Sequence, residues 1–222
     1  MITMLGLPDH VTACLFDLDG VLTDTASVHR AAWGEVFDHF TDEDYNEYVD
    51  GKPREAGIRD FLASRGEHPD DARVKDIGER KEQLFLDTIK RDGVTVYDGS
   101  RRYLQACADA GIRRAVVSSS ANTKLVLDVT GLAPLVEVRV DGVSARTRQL
   151  KGKPAPDTFL AAAADLSLPA ASCAVFEDAL AGVEAGRAGS FGAVVGVDRI
   201  GHADALKQHG ADLVVTDLAQ LL

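Results

Sequence analysis

Five short apolar runs, rich in β-branched residues, limit what this chain can fold into: Thr12 to Phe16, Arg114 to Val117, Cys173 to Phe176, Ala193 to Val197 and Asp212 to Val215. Helix-period segments separate the last four. That alternation predicts a parallel sheet with right-handed crossovers, a doubly wound (Rossmann-like) α/β core. The gap after the first run is of another kind. Roughly 80 residues follow it without a convincing strand, while Ser27 to Phe40, Pro53 to Arg65 and Asp71 to Ile89 carry apolar residues at helical spacing. At 222 residues the chain is long for one domain and short for two equal ones. The expectation is a core of residues 1–23 and 94–222, with an all-helical cap domain over residues 24–93 inserted after the first strand. Its hinges fall near Thr23 and near Gly93 to Tyr97.

The net charge of −11 argues against a nucleic-acid or anionic membrane surface, since either partner demands a basic footprint. An anionic ligand must therefore find local positive contacts. No apolar run approaches the ~18 residues that span a bilayer, and the start "MITMLGLPDH" lacks the basic region of a signal peptide. The chain reads as cytoplasmic. Cys14, Cys107 and Cys173 are odd in number, widely spaced and set in apolar stretches. They fit small buried hydrophobes better than disulfides or a zinc site. Nothing in the charge pattern marks a protein partner, and a monomer is consistent with it.

The first run closes on "DLDG", which places Asp17 and Asp19 on one side at the carboxyl end of the sheet, about 6–7 Å apart at strand rise. Doubly wound folds bind ligands at that edge, and a divalent cation would relieve the repulsion between two such carboxylates. A calcium loop is excluded, because Gly20 stands fourth where that pattern needs a glycine at six. An ordinary strand-ending turn is the competing explanation. The second run ends in Ser118, followed by Ser120 and Asn122 ahead of a helix, an arrangement that suits an anion or simple helix capping. The third ends in Glu177 and Asp178, which offer oxygen ligands for magnesium or complement a helix start. Lys153, before the stiff "KPAPD", either balances these carboxylates and grips a phosphoryl oxygen or is a surface lysine.

In order and together these four features resemble the haloacid dehalogenase superfamily of aspartyl-phosphate phosphotransferases, with "DLDG" at 17–20, Ser118, Lys153 in "KPAPD" and "EDALAG" at 177–182. The resemblance covers nearly the whole chain. Within the superfamily the chain is similar to the β-phosphoglucomutase-like family. The stretch "TDTASVHRAAW" resembles the opening of that family's cap, with Thr25, His29 and Trp33 at matching positions. Arg54 in "GKPRE" and Lys81 in "ERKEQ" match a cap arginine and a cap lysine, and Ser120 and Asn122 match core residues of a second phosphate site.

The resemblance implies a magnesium-dependent phosphotransferase acting on a small sugar phosphate, most simply interconverting β-glucose 1-phosphate and glucose 6-phosphate through the 1,6-bisphosphate. A sugar-phosphate phosphatase with the same core chemistry is the alternative. Asp17 is then the nucleophile. Asp19 is the general acid and base, expected to hold a proton because carboxylates surround it. Ser118 and Lys153 hold the transferring group, and Asp17, Asp178, Glu177 and the Asp19 backbone carbonyl hold Mg2+. Thr25, His29, Arg54, Lys81, Ser120 and Asn122 bind substrate, with Lys81 helping His29 report cap closure to Asp19. Trp33 is read as packing.

A response-regulator receiver is excluded because it carries its accepting aspartate on a later strand and has no helical insertion. Dehalogenation has no use for magnesium or for a protonated Asp19. Two departures from the family stand in the cap. Asp50 occupies a position where lysine is usual, with Lys52 as a substitute charge two residues on, and "FTDEDYNEY" over 40–48 is shorter and more acidic than usual. Both bear on substrate preference.

Overall fold

The computed structural model describes residues 4–222. Residues 1–3, the start of the expected core, lie outside the described residues. Six strands make one wholly parallel sheet: β1 (Ala13–Phe16), β2 (Arg113–Val117), β3 (Val138–Val140), β4 (Cys173–Glu177), β5 (Ala193–Val197) and β6 (Leu213–Val215). Their order is β3-β2-β1-β4-β5-β6. Five of them are the expected runs, so the doubly wound class holds. The sixth, β3, escaped because only three residues pair and Arg139 at its centre is exposed.

Helices α1 (Thr25–Val36), α2 (Asp42–Asp44), α3 (Arg54–Ser64), α4 (Asp71–Asp92) and α5 (Asp98–Asp109) lie between β1 and β2. Then α6 (Thr123–Val129) precedes β3, α7 (Gly142–Thr147) and α8 (Asp157–Asp165) precede β4, and α9 (Leu180–Ala188) and α10 (Ala203–Gln208) flank β5. The central strands are buried on both faces, as parallel strands between helix layers must be. Ala13, Leu15, Val117 and Val175 pack with Phe159 on one side, while Cys14, Phe16, Val116 and Phe176 pack with Tyr103 on the other. Residues of α1 to α4 gather a separate cluster that includes Trp33, Phe37, Tyr45, Ile58, Phe61 and Ile77.

The chain leaves and re-enters the core through paired segments. Asp24 N–H donates to Thr95 O at 2.9 Å and Tyr97 N–H to Leu22 O at 3.1 Å, with Thr23 bridging Val96 in antiparallel fashion. The acidic stretch over 40–48 is structural. The Thr41 hydroxyl caps α2 by accepting from Asp44 N–H at 3.1 Å, and the Asp44 carboxylate accepts from Thr41 N–H at 3.0 Å and from Arg65 Nη2 at 2.9 Å, which ties α2 to the end of α3. Tyr45–Val49 continue as a π-helical turn that stops at Asp50. All three cysteines are free and buried. Among the described residues no helix is long and apolar enough to cross a membrane.

Candidate active site

Adjacent parallel strands end on one edge, so the residues after β1, β2 and β4 meet there: Asp17, Ser118, and Asp178 beside the last residue of β4, Glu177. Lys153 reaches them from the loop ahead of α8. Its Nζ lies 2.5 Å from both Asp17 Oδ1 and Glu177 Oε1 and donates to Val117 O at 3.0 Å. Burial disfavours this ammonium, but the two carboxylates more than offset it and hold the lysine above its ordinary range. Burial likewise pushes the Asp17 carboxyl up, against the pull of Lys153, and the negative Glu177 and Asp19 add to the rise. One ammonium does not neutralise the group.

The turn after β1 is set by Gly20, whose φ of +94° is a conformation other residues rarely adopt. A β-carbon there would also run into the Asp178 carboxylate. Arg199 braces this turn, donating to Gly20 O at 2.9 Å and Val21 O at 3.2 Å while lying 3.7 Å from the centre of the Tyr97 ring.

Asp19 faces donors. Thr25 Oγ1 donates to its Oδ1 at 2.5 Å, Ser118 Oγ to its Oδ2 at 3.0 Å, and His29 Nε2 stands 3.4 Å from Oδ1. Its own N–H donates to Asp17 Oδ2 at 2.8 Å. The expectation that Asp19 holds a proton is therefore corrected. Burial raises its affinity for a proton, yet His29, Thr25 and Ser118 lower the pKa to about 2. Asp17 and Glu177 each give one oxygen to Lys153.

His29 stacks on Phe85 with ring centres 4.1 Å apart, and its Nδ1 contacts Lys81 Nζ. Lys81 is 4% exposed, sits over the Trp33 and Phe85 rings, and burial lowers its pKa to about 7. Burial and the nearby Lys81 also lower His29. Because two cations would repel in this dry pocket, His29 and Lys81 hold one proton between them more readily than two.

One cavity brings together Asp17, Asp19, His29, Arg54, Lys81, Ser118, Ser120 and Asp178. Trp33, read as packing, is buried and stacked on Phe37 and also forms part of the wall. Thr25 and Asn122 do not line the cavity. Thr25 is fully buried behind Asp19, and the Asn122 N–H donates to Ser120 Oγ at 3.1 Å. Lys52 lines the wall and pairs with Asp60 at 2.8 Å. Asp50 itself lines the cavity with Asp178, and burial pushes its carboxyl up to about 7, with Glu177 adding to the rise.

The sequence model of the haloacid dehalogenase-like hydrolases matches residues 11–189. The chain belongs to the haloacid dehalogenase-like hydrolases. Within them it is 51% identical to a β-phosphoglucomutase of Mycobacterium bovis across 99% of this chain and 94% of that one. It is 33% identical to a β-phosphoglucomutase of Bacillus subtilis across 94% and 91% of the two chains. Among solved structures, β-phosphoglucomutase from Clostridium difficile superposes with a TM-score of 0.82, at 27% identity over 96% of this chain and 93% of that one.

Phosphomutases of this family are generally magnesium-dependent, and the residues present fit a hard cation. Asp17, Glu177 and Asp178 offer oxygens within 4.8 Å of one another, all three side chains buried. Burial lifts Asp178 as well as Asp17, with Asp50 and Glu177 adding to the rise. Carboxylates so placed are short of positive charge, and an all-oxygen donor set suits magnesium. Asp19 adds no side-chain oxygen to this group.

Two functional neighbours carried no sequence signal. Glu82 accepts from Arg54 Nη1 at 2.9 Å, and the Ser119 hydroxyl donates to Gly51 O at 2.7 Å, joining the turn after β2 to the segment ahead of α3.

Proposed function

We propose that the chain is a magnesium-dependent β-phosphoglucomutase that interconverts β-glucose 1-phosphate and glucose 6-phosphate through the 1,6-bisphosphate. One observation carries this reading over a phosphatase: the cavity lined by Asp17 is also lined by Arg54 and Ser120, groups that suit a second phosphate. A hydrolase acting on one phosphate has no use for it.

Asp17 attacks phosphorus and becomes an aspartyl phosphate. Asp17, Asp178, Glu177 and the Asp19 carbonyl would hold magnesium, which would supply positive charge to offset the repulsion between these carboxylates and the incoming phosphate. Ser118 and Lys153 hold the oxygens of the transferring group, where charge gathers.

With Asp17 phosphorylated, Asp19 acts first as a base. It takes the proton of the sugar hydroxyl that attacks the phospho-enzyme, and returns it to the leaving oxygen when the bisphosphate, turned round, gives its other phosphate to Asp17. Thr25 and His29 position it. Lys81 sets the charge of His29. Arg54 and Ser120, both on the cavity wall, hold whichever phosphate is not reacting.

Residues 24–93 act as the cap that shields the aspartyl phosphate from water. A phosphorylated sugar is charged and retained inside the cell, which supports a cytoplasmic enzyme.

The test supplies magnesium, β-glucose 1-phosphate and a trace of the bisphosphate. Glucose 6-phosphate should form, mass spectrometry should find a phosphate on Asp17, and Asp17→Asn should lose both. A phosphate on any other residue would contradict the reading.

A further inference from the structure

Four cationic side chains line the cavity in addition to His29: Lys52, Arg54, Lys81 and Arg146. Three of them are committed. Lys52 pairs with Asp60, Arg54 with Glu82, and Lys81 contacts His29. Arg146 is exposed and has no hydrogen-bond or ion-pair partner among the described residues.

Its position is nonetheless fixed. Arg146 lies on α7, whose first residue, Gly142, donates its N–H to Ser120 O at 3.0 Å. A β-carbon at 142 would collide with the Ser119 carbonyl, so α7 is docked on the loop that carries Ser120. Asp141 caps α7, accepting from Val143 N–H at 3.1 Å and Ser144 N–H at 2.8 Å, and is itself held by Arg139 at 2.7 Å. The helix is thus anchored at its start, and Arg146 stands one turn further along on the cavity wall.

We propose that Arg146 is a second guanidinium for the phosphate remote from Asp17, gripping the sugar bisphosphate from the core side while Arg54 grips it from the helices between β1 and β2. The proposal rests on the mutase reading. A guanidinium with no carboxylate to release meets a phosphate without an exchange of partners, and its planar fork takes two oxygens at once. Because Arg146 belongs to the sheet domain, it can keep hold of the intermediate when Arg54 lets go during reorientation.

The experiment measures binding of β-glucose 1,6-bisphosphate by titration calorimetry in the Asp17→Asn background, with magnesium, for chains carrying Arg146, Arg146→Lys and Arg146→Ala. The loss of a charged, bidentate contact weakens Kd by about 10–100-fold in the alanine variant, with lysine between. The unliganded unfolding midpoints of the three chains should agree, whereas a change in folding alone would move them. Equal Kd values for Arg146 and Arg146→Ala, or a loss of affinity matched by a fall in the unfolding midpoint, would overturn the assignment. Isomer formation by the unaltered chain is scored separately, so the mutase reading can fail while the Arg146 result stands, or the reverse.

Discussion

Arg54 Nη1 donates to Glu82 Oε2 at 2.9 Å, so the guanidinium assigned to the remote phosphate already holds a carboxylate. Substrate must displace that partner. Both side chains are about one-third exposed, which keeps the pair weak. Glu82→Gln should therefore lower KM for β-glucose 1-phosphate by about 2–5-fold, the equivalent of a solvent-screened ion pair. An unchanged KM would remove Arg54 from the phosphate grip.

Three buried carboxylates, Asp17, Glu177 and Asp178, surround the single ammonium of Lys153. Burial raises Asp17 and Asp178, so the folded chain binds their protons more firmly than the unfolded chain does. Their contribution is full at low pH and is lost as pH rises through the folded values. Magnesium at about 100 times its Kd should restore about 2.7 kcal/mol at neutral pH, a rise in Tm of about 5–10 °C. Asp178→Asn should raise Tm without magnesium and lose most of the magnesium response, measured by calorimetry at two metal concentrations.

Lys81 has its pKa lowered from 10.5 to about 7 by burial. Between those two values the unfolded chain binds the extra proton and the folded one does not. Stability therefore rises as pH climbs from about 7 to 10.5. Urea unfolding across that window should show the rise in the unaltered chain and a flatter profile in Lys81→Met. A profile that falls would contradict the burial of a neutral lysine.

Arg199 holds the turn that carries Asp17 and Asp19 through Gly20 O and Val21 O, and also donates to Thr216 O at 2.9 Å. Arg199→Ala should cost about 2–3 kcal/mol through carbonyls left without a charged donor. Phosphoryl transfer should weaken with it, because Asp17 loses its fixed position. Loss of stability with full activity would show that the turn holds itself.

The centre of the site was legible from sequence for a physical reason. In a parallel sheet all strand ends lie on one edge, so Asp17, Ser118, Glu177 and Asp178 could be placed together without coordinates. What depended on side chains meeting across the fold was not legible. The charge state of Asp19 follows from three donors on three segments, Thr25, His29 and Ser118. The pairing of Lys52 with Asp60, the hold of Glu82 on Arg54 and the place of Asn122 off the cavity wall leave no local pattern. Strand β3 was lost for a different reason, since three residues with an exposed arginine in the middle are too few to show a period of two.

The central claim is that the aspartyl phosphate on Asp17 is passed to a sugar hydroxyl and not to water. Phosphorus NMR of the protein with magnesium, β-glucose 1-phosphate and a trace of the 1,6-bisphosphate follows both fates in one sample. Glucose 6-phosphate should appear well ahead of inorganic phosphate, with both signals lost in Asp17→Asn. Inorganic phosphate released without glucose 6-phosphate would contradict it and leave a phosphatase.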